Sequence, residues 1–335
     1  MSLVQSPEGV AKPESSRVGR AETRVPLYHV IEAQQFDREI LTELFDRAVG
    51  MEPLARSGGC AKYPNSIMAT LFYEPSTRTR FSFETAMHRL GGRVISTESA
   101  AQFSSVSKGE TLEDTVRILN GYVDVIVLRH QDVGAAARAA SVSRVPVINA
   151  GDGAGQHPTQ ALLDLYTIQR EIGRLDGLRI AMVGDLAQGR TVRSLAYLLG
   201  KFRDVRMWFV APPLLKMKED ILEHLRQRGV DFREENSLEQ VLPEVDVVYQ
   251  TRIQKERFGD RIADYEQCRD LFVINQASLD LMRPDAIVMH PLPRVNEISP
   301  EVDRDPRAAY FRQAQNGLYV RMALLSMVLE HTAEA

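Results

Sequence analysis

Eight short apolar runs, separated by stretches of helical pattern, constrain this chain more than any other feature. They are Ile67–Phe72, Asp124–Leu128, Val145–Asn149, Arg179–Val183, Val205–Val210, Val245–Tyr249, Leu271–Asn275 and Ala286–Met289. Most are rich in Val and Ile and lack polar alternation, as parallel strands buried on both faces require. Helical patterns lie between most of them, for example Pro158–Arg170, Thr191–Lys201 and Pro213–Arg228. Strands that alternate with helices predict an α/β fold with right-handed crossovers and short connections. A chain of 335 residues accommodates two domains, each with its own core. The glycine-rich stretch Gly151–Gln156 is the best boundary between them, with residues 25–156 before it and 157–309 after it. Residues 1–24 are poor in apolar side chains and read as a flexible tail. They contain no apolar signal core, and Glu8, Glu14 and Glu22 count against a transit peptide. There is no internal repeat and no low-complexity segment.

The first apolar run meets the next helix in an unusual way. After Leu71-Phe72-Tyr73 come Glu74-Pro75-Ser76-Thr77-Arg78-Thr79-Arg80 and then Phe81-Ser82-Phe83-Glu84. Phe83, Met87 and Leu90 recur at helical spacing until Gly91-Gly92 stops the helix. Ser76, Thr77, Arg78 and Thr79 therefore sit at a helix N-terminus, where free backbone N–H groups and the helix dipole favour an anion. Hydroxyls and a planar guanidinium beside those amides suit a phosphate group. Further polar motifs follow other runs: Arg129-His130, His157-Pro158-Thr159-Gln160, Gly184 to Arg190, Thr251-Arg252-Ile253-Gln254, and His290-Pro291-Leu292-Pro293-Arg294. Ligands of open α/β sheets bind outside the carboxyl ends of the strands, which is where these motifs fall. Several arginines there imply a ligand with more than one anionic group. The Gly184–Arg190 loop lacks the G-x-G-x-x-G spacing of a dinucleotide site, so hydride transfer is a distant alternative.

Composition excludes other classes. The net charge of −4 gives no basic footprint for nucleic acid, and no apolar stretch approaches transmembrane length. Cys60 and Cys268 suggest neither a disulfide framework nor a zinc site, and fit a reducing cytoplasm. No cofactor and no metal are expected.

Glu74-Pro-Ser-Thr-Arg-Thr-Arg80 followed by Ser82-Phe-Glu84 resembles the carbamoyl phosphate signature of the aspartate/ornithine carbamoyltransferase family. Gly155-Gln-His-Pro-Thr-Gln160-Ala-Leu-Leu-Asp-Leu165 resembles the family loop that contacts the carbonyl of carbamoyl phosphate. The resemblance runs from about Val25 to near Leu329. It implies two domains, each a parallel sheet flanked by helices: a carbamoyl phosphate domain over 25–156 and an L-aspartate domain over 157–309. A C-terminal helix within about 310–331, patterned over Gly317–His331, would return to the first.

On that resemblance Ser76, Thr77, Arg78, Thr79, Arg129, His157, Gln160, Leu292 and Pro293 bind carbamoyl phosphate. Arg78, Thr79, Arg129, His157 and Lys108 are the catalytic groups. Lys108, Arg190, Arg252 and Gln254 hold L-aspartate. Lys108 and Ser104 (or Ser105) would come from a neighbouring subunit of a homotrimer, on the mobile loop Phe103–Glu110. Glu74 and Arg257 are expected to form interdomain ion pairs, and Tyr319 to lie in the core of the last helix. The ornithine branch typically carries cysteine at the positions of Thr159 and Pro291, so the acceptor implied here is L-aspartate. Ser107 and Gln188 replace a lysine and a tyrosine of some members. A regulatory chain or a dihydroorotase is a possible further partner. The rival readings are a different amino-acid acceptor and a non-catalytic paralogue.

Overall fold

The computed structural model describes residues 27–98, 109–253, 258 and 262–334. Two parallel sheets form its frame. The first contains β1 (Ile67–Phe72), β2 (Arg93–Glu98), β3 (Val125–His130) and β4 (Val147–Asp152), in the order β2-β1-β3-β4. The second contains β5 (Arg179–Val183), β6 (Arg206–Val210), β7 (Asp231–Glu235), β8 (Val247–Gln250) and β9 (Ile287–Met289), in the order β7-β6-β5-β8-β9. All paired strands are parallel. Both orders reverse direction once, between β1 and β3 in the first sheet and between β5 and β8 in the second. Each reversal opens a crevice at the carboxyl ends of the strands.

Helices cover the sheets. They are α1 (Arg38–Arg56), α2 (Thr77–Arg89), α3 (Leu112–Leu119), α4 (Ala135–Val142), α5 (Pro158–Ile172) and α6 (Arg190–Leu199). They continue with α7 (Glu219–Gln227), α8 (Leu238–Val241), α9 (Ile262–Cys268), α10 (Gln276–Leu281) and α11 (Tyr310–Glu334). The long C-terminal α11 packs on α1 and α2, returning to the first sheet's layer, and also on α5. Helix α5 is buried without interruption from Pro158 to Ile168 because α11, α6 and β4 pack on different faces of it. Tyr319 is buried within α11, as expected.

The departures from expectation are instructive. Strands β2 and β7 were not anticipated. Both are edge strands whose side chains are largely exposed, so neither shows the apolar run of a central strand. Leu271–Asn275, expected as a strand, pairs only through a single bridge from Ile274 to Ile298. Asn275 instead caps α10 by accepting the Ser278 N–H, which turns the run into a helix entry. The single helix expected over Pro213–Arg228 is a 3-10 turn, Pro213–Leu215, followed by α7. Lys216 and Lys218 are extended between them. Strands β3 and β4 run on to His130 and Asp152, which brings Arg129 and Gly151 into the strands themselves.

Candidate active site

The first crevice is built by α2 and the end of β3. Ser76 is the N-cap of α2, so Thr77, Arg78 and Thr79 form its first turn, where no acidic residue competes for an anion. Tyr73 N donates to Arg129 O at 2.9 Å, which fixes the end of β1 beside the end of β3. Arg129 is buried and Arg78 is exposed. Partial burial and then the nearby Arg129 charge lower the pKa of the Arg78 guanidinium. Two like charges placed this close are stabilised by an anion between them.

Glu74 brings a carboxylate to these cations. It pairs with Arg129 at 3.0 Å and with Arg190 at 3.6 Å. Arg190 begins α6, beside the second sheet, so the Glu74–Arg190 pair joins the two layers, as anticipated for Glu74. Arg129 also donates to Ala150 O at 3.3 Å, and Arg190 to Gly153 O at 2.6 Å. Between the two guanidinium groups lies Gly151 at φ +117°, where a side chain would meet Arg129 Nη1 and Arg190 Cζ at 3.0 Å. The close approach of two arginines to bare backbone is the reason for glycine here.

His157 caps α5 by position but not through its side chain, and Pro158 fills the first helical position. The imidazole is buried, and its Nδ1 has no hydrogen-bond partner. Burial, then Arg190, Arg129 and Arg321, push its pKa well below the usual histidine range. A neutral imidazole held among arginines can donate a hydrogen bond without carrying a charge. Arg129 Nε and Thr159 Oγ1 are likewise buried without partners. Gln160 donates its amide nitrogen to Asp164 at 2.8 Å, which leaves its carbonyl oxygen as the acceptor for another group.

The loop after β9 closes the site from the other layer. Burial is the largest influence on His290 and lowers its pKa, and the Arg78 charge acts in the same direction. Its Nδ1 accepts the Leu292 N–H at 2.7 Å, so its Nε2 carries the proton shared with Glu297 at 2.8 Å. That bond holds Leu292 at φ +50°, a conformation rare for a branched residue. Leu292 is half-buried and Pro293 exposed. Half-buried Arg252 follows β8 at the second crevice, where Thr251 Oγ1 accepts the Asp185 N–H at 3.1 Å. Lys108, Ser104, Gln254 and Arg257 lie outside the described residues. The structure therefore groups Arg78, Arg129, Arg190, His157 and the His290–Pro293 loop. Asp164, Gln313, Tyr249 and Glu297, which support them, were not singled out from the sequence.

The family model described as aspartate/ornithine carbamoyltransferase, carbamoyl-P binding domain, matches residues 28–170. The companion Asp/Orn binding domain model matches residues 176–328. The chain belongs to the aspartate/ornithine carbamoyltransferase family. Among its relatives is the chloroplastic aspartate carbamoyltransferase 1 of Pisum sativum, 58% identical over 322 residues, covering 96% of this chain and 83% of that protein. The catalytic subunit of Methanocaldococcus jannaschii aspartate transcarbamoylase has the same fold with a TM-score of 0.85 and 49% identity, over 92% of this chain and 99% of that one. The Trypanosoma cruzi aspartate transcarbamoylase, solved in complex with carbamoyl phosphate and aspartate, matches with a TM-score of 0.85 and 43% identity. That match covers 90% of this chain and 96% of the other. Membership in the carbamoyltransferase family accounts for the two parallel sheets, one within the stretch matched by each family model.

Proposed function

We infer that this chain transfers the carbamoyl group of carbamoyl phosphate to the α-amine of L-aspartate, giving N-carbamoyl-L-aspartate and phosphate in de novo pyrimidine biosynthesis. The observation that carries the reading is the convergence of Arg78, Arg129, Arg190 and a neutral His157, whose Nδ1 has no partner, where the two layers meet. The amine attacks the carbonyl carbon, a tetrahedral intermediate forms, and the C–O bond to phosphate breaks as the carbonyl re-forms. The amine proton passes to the departing phosphate, so no protein base is needed.

In this reading Ser76, Thr77, Arg78 and Thr79 hold the phosphate at the α2 N-terminus, and Arg129 bridges phosphate and carbonyl. His157 donates to the carbonyl oxygen as negative charge builds on it. The Gln160 carbonyl and the backbone at Leu292 and Pro293 receive the carbamoyl NH₂. Arg190 and Arg252 hold the aspartate carboxylates, with Gln254 beside them. Lys108 and Ser104 enter from a neighbouring subunit of a homotrimer. The division of labour follows the two sheets, residues 25–156 with α11 taking carbamoyl phosphate and residues 157–309 taking aspartate. Thr159 and Pro291 favour aspartate over ornithine. Among the described residues no helix is long and apolar enough to cross a membrane. We take the compartment to be a reducing cytoplasm, since the chain has two cysteines, Cys60 and Cys268, far apart in sequence.

The test is ureido-product formation from carbamoyl phosphate with L-aspartate and L-ornithine in parallel, with Arg78→Ala as control. Aspartate-dependent turnover that is lost in the control is expected. Ornithine turnover would overturn the acceptor, and silence with both would overturn the reaction.

A further inference from the structure

Helix α5 carries a carboxylate where only apolar side chains would pack without cost. Asp164 is completely buried. Its Oδ1 accepts from Gln160 Nε2 at 2.8 Å and from Gln313 Nε2 at 2.6 Å, and its Oδ2 accepts from the Tyr249 hydroxyl at 2.6 Å. These three donors come from three elements: α5, α11 and β8. A buried carboxylate needs such partners, and replacing the whole set by well-packed apolar side chains would avoid the desolvation cost, so stability alone does not explain it.

The chemistry of the acceptor decides how both amides stand. An ionised carboxylate only accepts, so each glutamine must turn its NH₂ toward Asp164 and its carbonyl oxygen elsewhere. The Gln313 carbonyl takes the backbone N–H of His290 at 2.9 Å, where the loop to Pro293 begins. The Gln160 carbonyl is left for a donor outside the network. Burial raises the Asp164 pKa to about 7, while its three donors and the Arg321 charge act against that rise and favour the accepting form.

We propose that Asp164 is a positioning residue for carbamoyl transfer, which turns the Gln160 carbonyl toward the carbamoyl NH₂ and, through Gln313, sets the peptide that opens the His290–Pro293 loop. The proposal rests on the reading above that Gln160 and Leu292 meet the carbamoyl group. It explains why an amide that both donates and accepts occupies position 160. Without the carboxylate, the Gln160 side chain is free to present either end.

A double-mutant cycle tests it in the full chain, with kcat and the KM for carbamoyl phosphate measured for wild type, Gln160→Ala, Asp164→Ala and the double variant. Each single change is expected to lower kcat/KM about 10- to 100-fold, as for one buried partner lost. The double variant should fall no further than the worse single one, within twofold. Asp164→Asn should recover most of the loss, because its oxygen still accepts both amides while its NH₂ turns to the Tyr249 oxygen. Should Asp164→Ala not fold, Asp164→Leu fills the same space and enters the cycle in its place. Losses that multiply in the double variant, or an Asn variant as poor as the Ala one, overturn the positioning role. Wild type that forms no carbamoyl aspartate overturns the functional reading, and the proposal with it.

Discussion

Replacing Gly151 by alanine tests whether the arginine pair is the working part of this site. The substitution acts twice. At φ +117° a Cβ strains the backbone, which costs roughly 1–3 kcal/mol. The new methyl also meets Arg129 Nη1 and Arg190 Cζ at 3.0 Å and Arg190 Nη2 at 3.1 Å, so both guanidinium groups must give by a few tenths of an ångström. Neither can do so freely, since Arg129 is tied to Glu74 and Ala150 and Arg190 to Gly153. A displacement near 1 Å costs about 100-fold in rate, so this smaller shift of two groups is expected to lower kcat/KM about 10- to 100-fold. The strain should lower the Tm by roughly 2–10 °C. Gly173 provides the control: it caps α5 at φ +81°, where an added methyl would meet no atom within 4 Å. Gly173→Ala should lower the Tm comparably and leave carbamoyl aspartate formation unchanged. Both variants are compared by thermal melting and steady-state kinetics. A Gly151→Ala enzyme with kcat/KM within twofold of wild type would refute the reasoning, because it would mean that the arginines can move without consequence.

Arg78→Ala and Lys108→Ala proteins, each expected to be inactive, should regain part of their turnover when mixed and allowed to exchange subunits. No recovery after exchange demonstrated by mass spectrometry counts against shared sites. Asp164 bears on stability as well as on geometry. Its folded pKa is raised from 3.8 to about 7, so its contribution is fully present below about pH 4 and lost as pH rises to 7. That loss is on the order of 4 kcal/mol. Urea unfolding of wild type and Asp164→Asn between pH 5 and 8 should show a weaker decline with pH in the variant, and parallel curves would exclude the linkage. His157 acts with the opposite sign. Its folded pKa is depressed, so its contribution is present above about pH 6.5 and lost as pH falls below it. His157→Asn should therefore flatten the acid side of the stability curve, and an unchanged slope below pH 6.5 would show that the imidazole is not held neutral.

What the sequence disclosed follows from the range of the interactions involved. The central strands β1 and β5 match their expected limits because burial on both faces writes an uninterrupted apolar run into neighbouring positions. The cap at Ser76 and the Pro158 start were legible for a similar reason, since a helix entry is determined by adjacent residues. Edge strands β2 and β7 were hidden because their specification comes from one neighbour, through backbone bonds that any side chain permits. Among the candidate site residues, those proposed to contact ligand sit in motifs of distinctive chemistry, so Arg78, Arg129, His157 and Arg190 could be singled out from the sequence.

Their supports were not found, because nothing local marks them. Asp164 stands in the run Ala161-Leu-Leu-Asp-Leu-Tyr166, where its one visible oddity is a charge among apolar residues. Gln313 and Tyr249 are separated from it by 149 and 85 positions. A buried carboxylate amid apolar neighbours must be satisfied by distant donors, so such a residue signals that partners exist without saying which. Glu74, in the turn before α2, reaches Arg190 of the second layer at 3.6 Å, whereas Asp164 ties α5 to β8 and α11 through Tyr249 and Gln313.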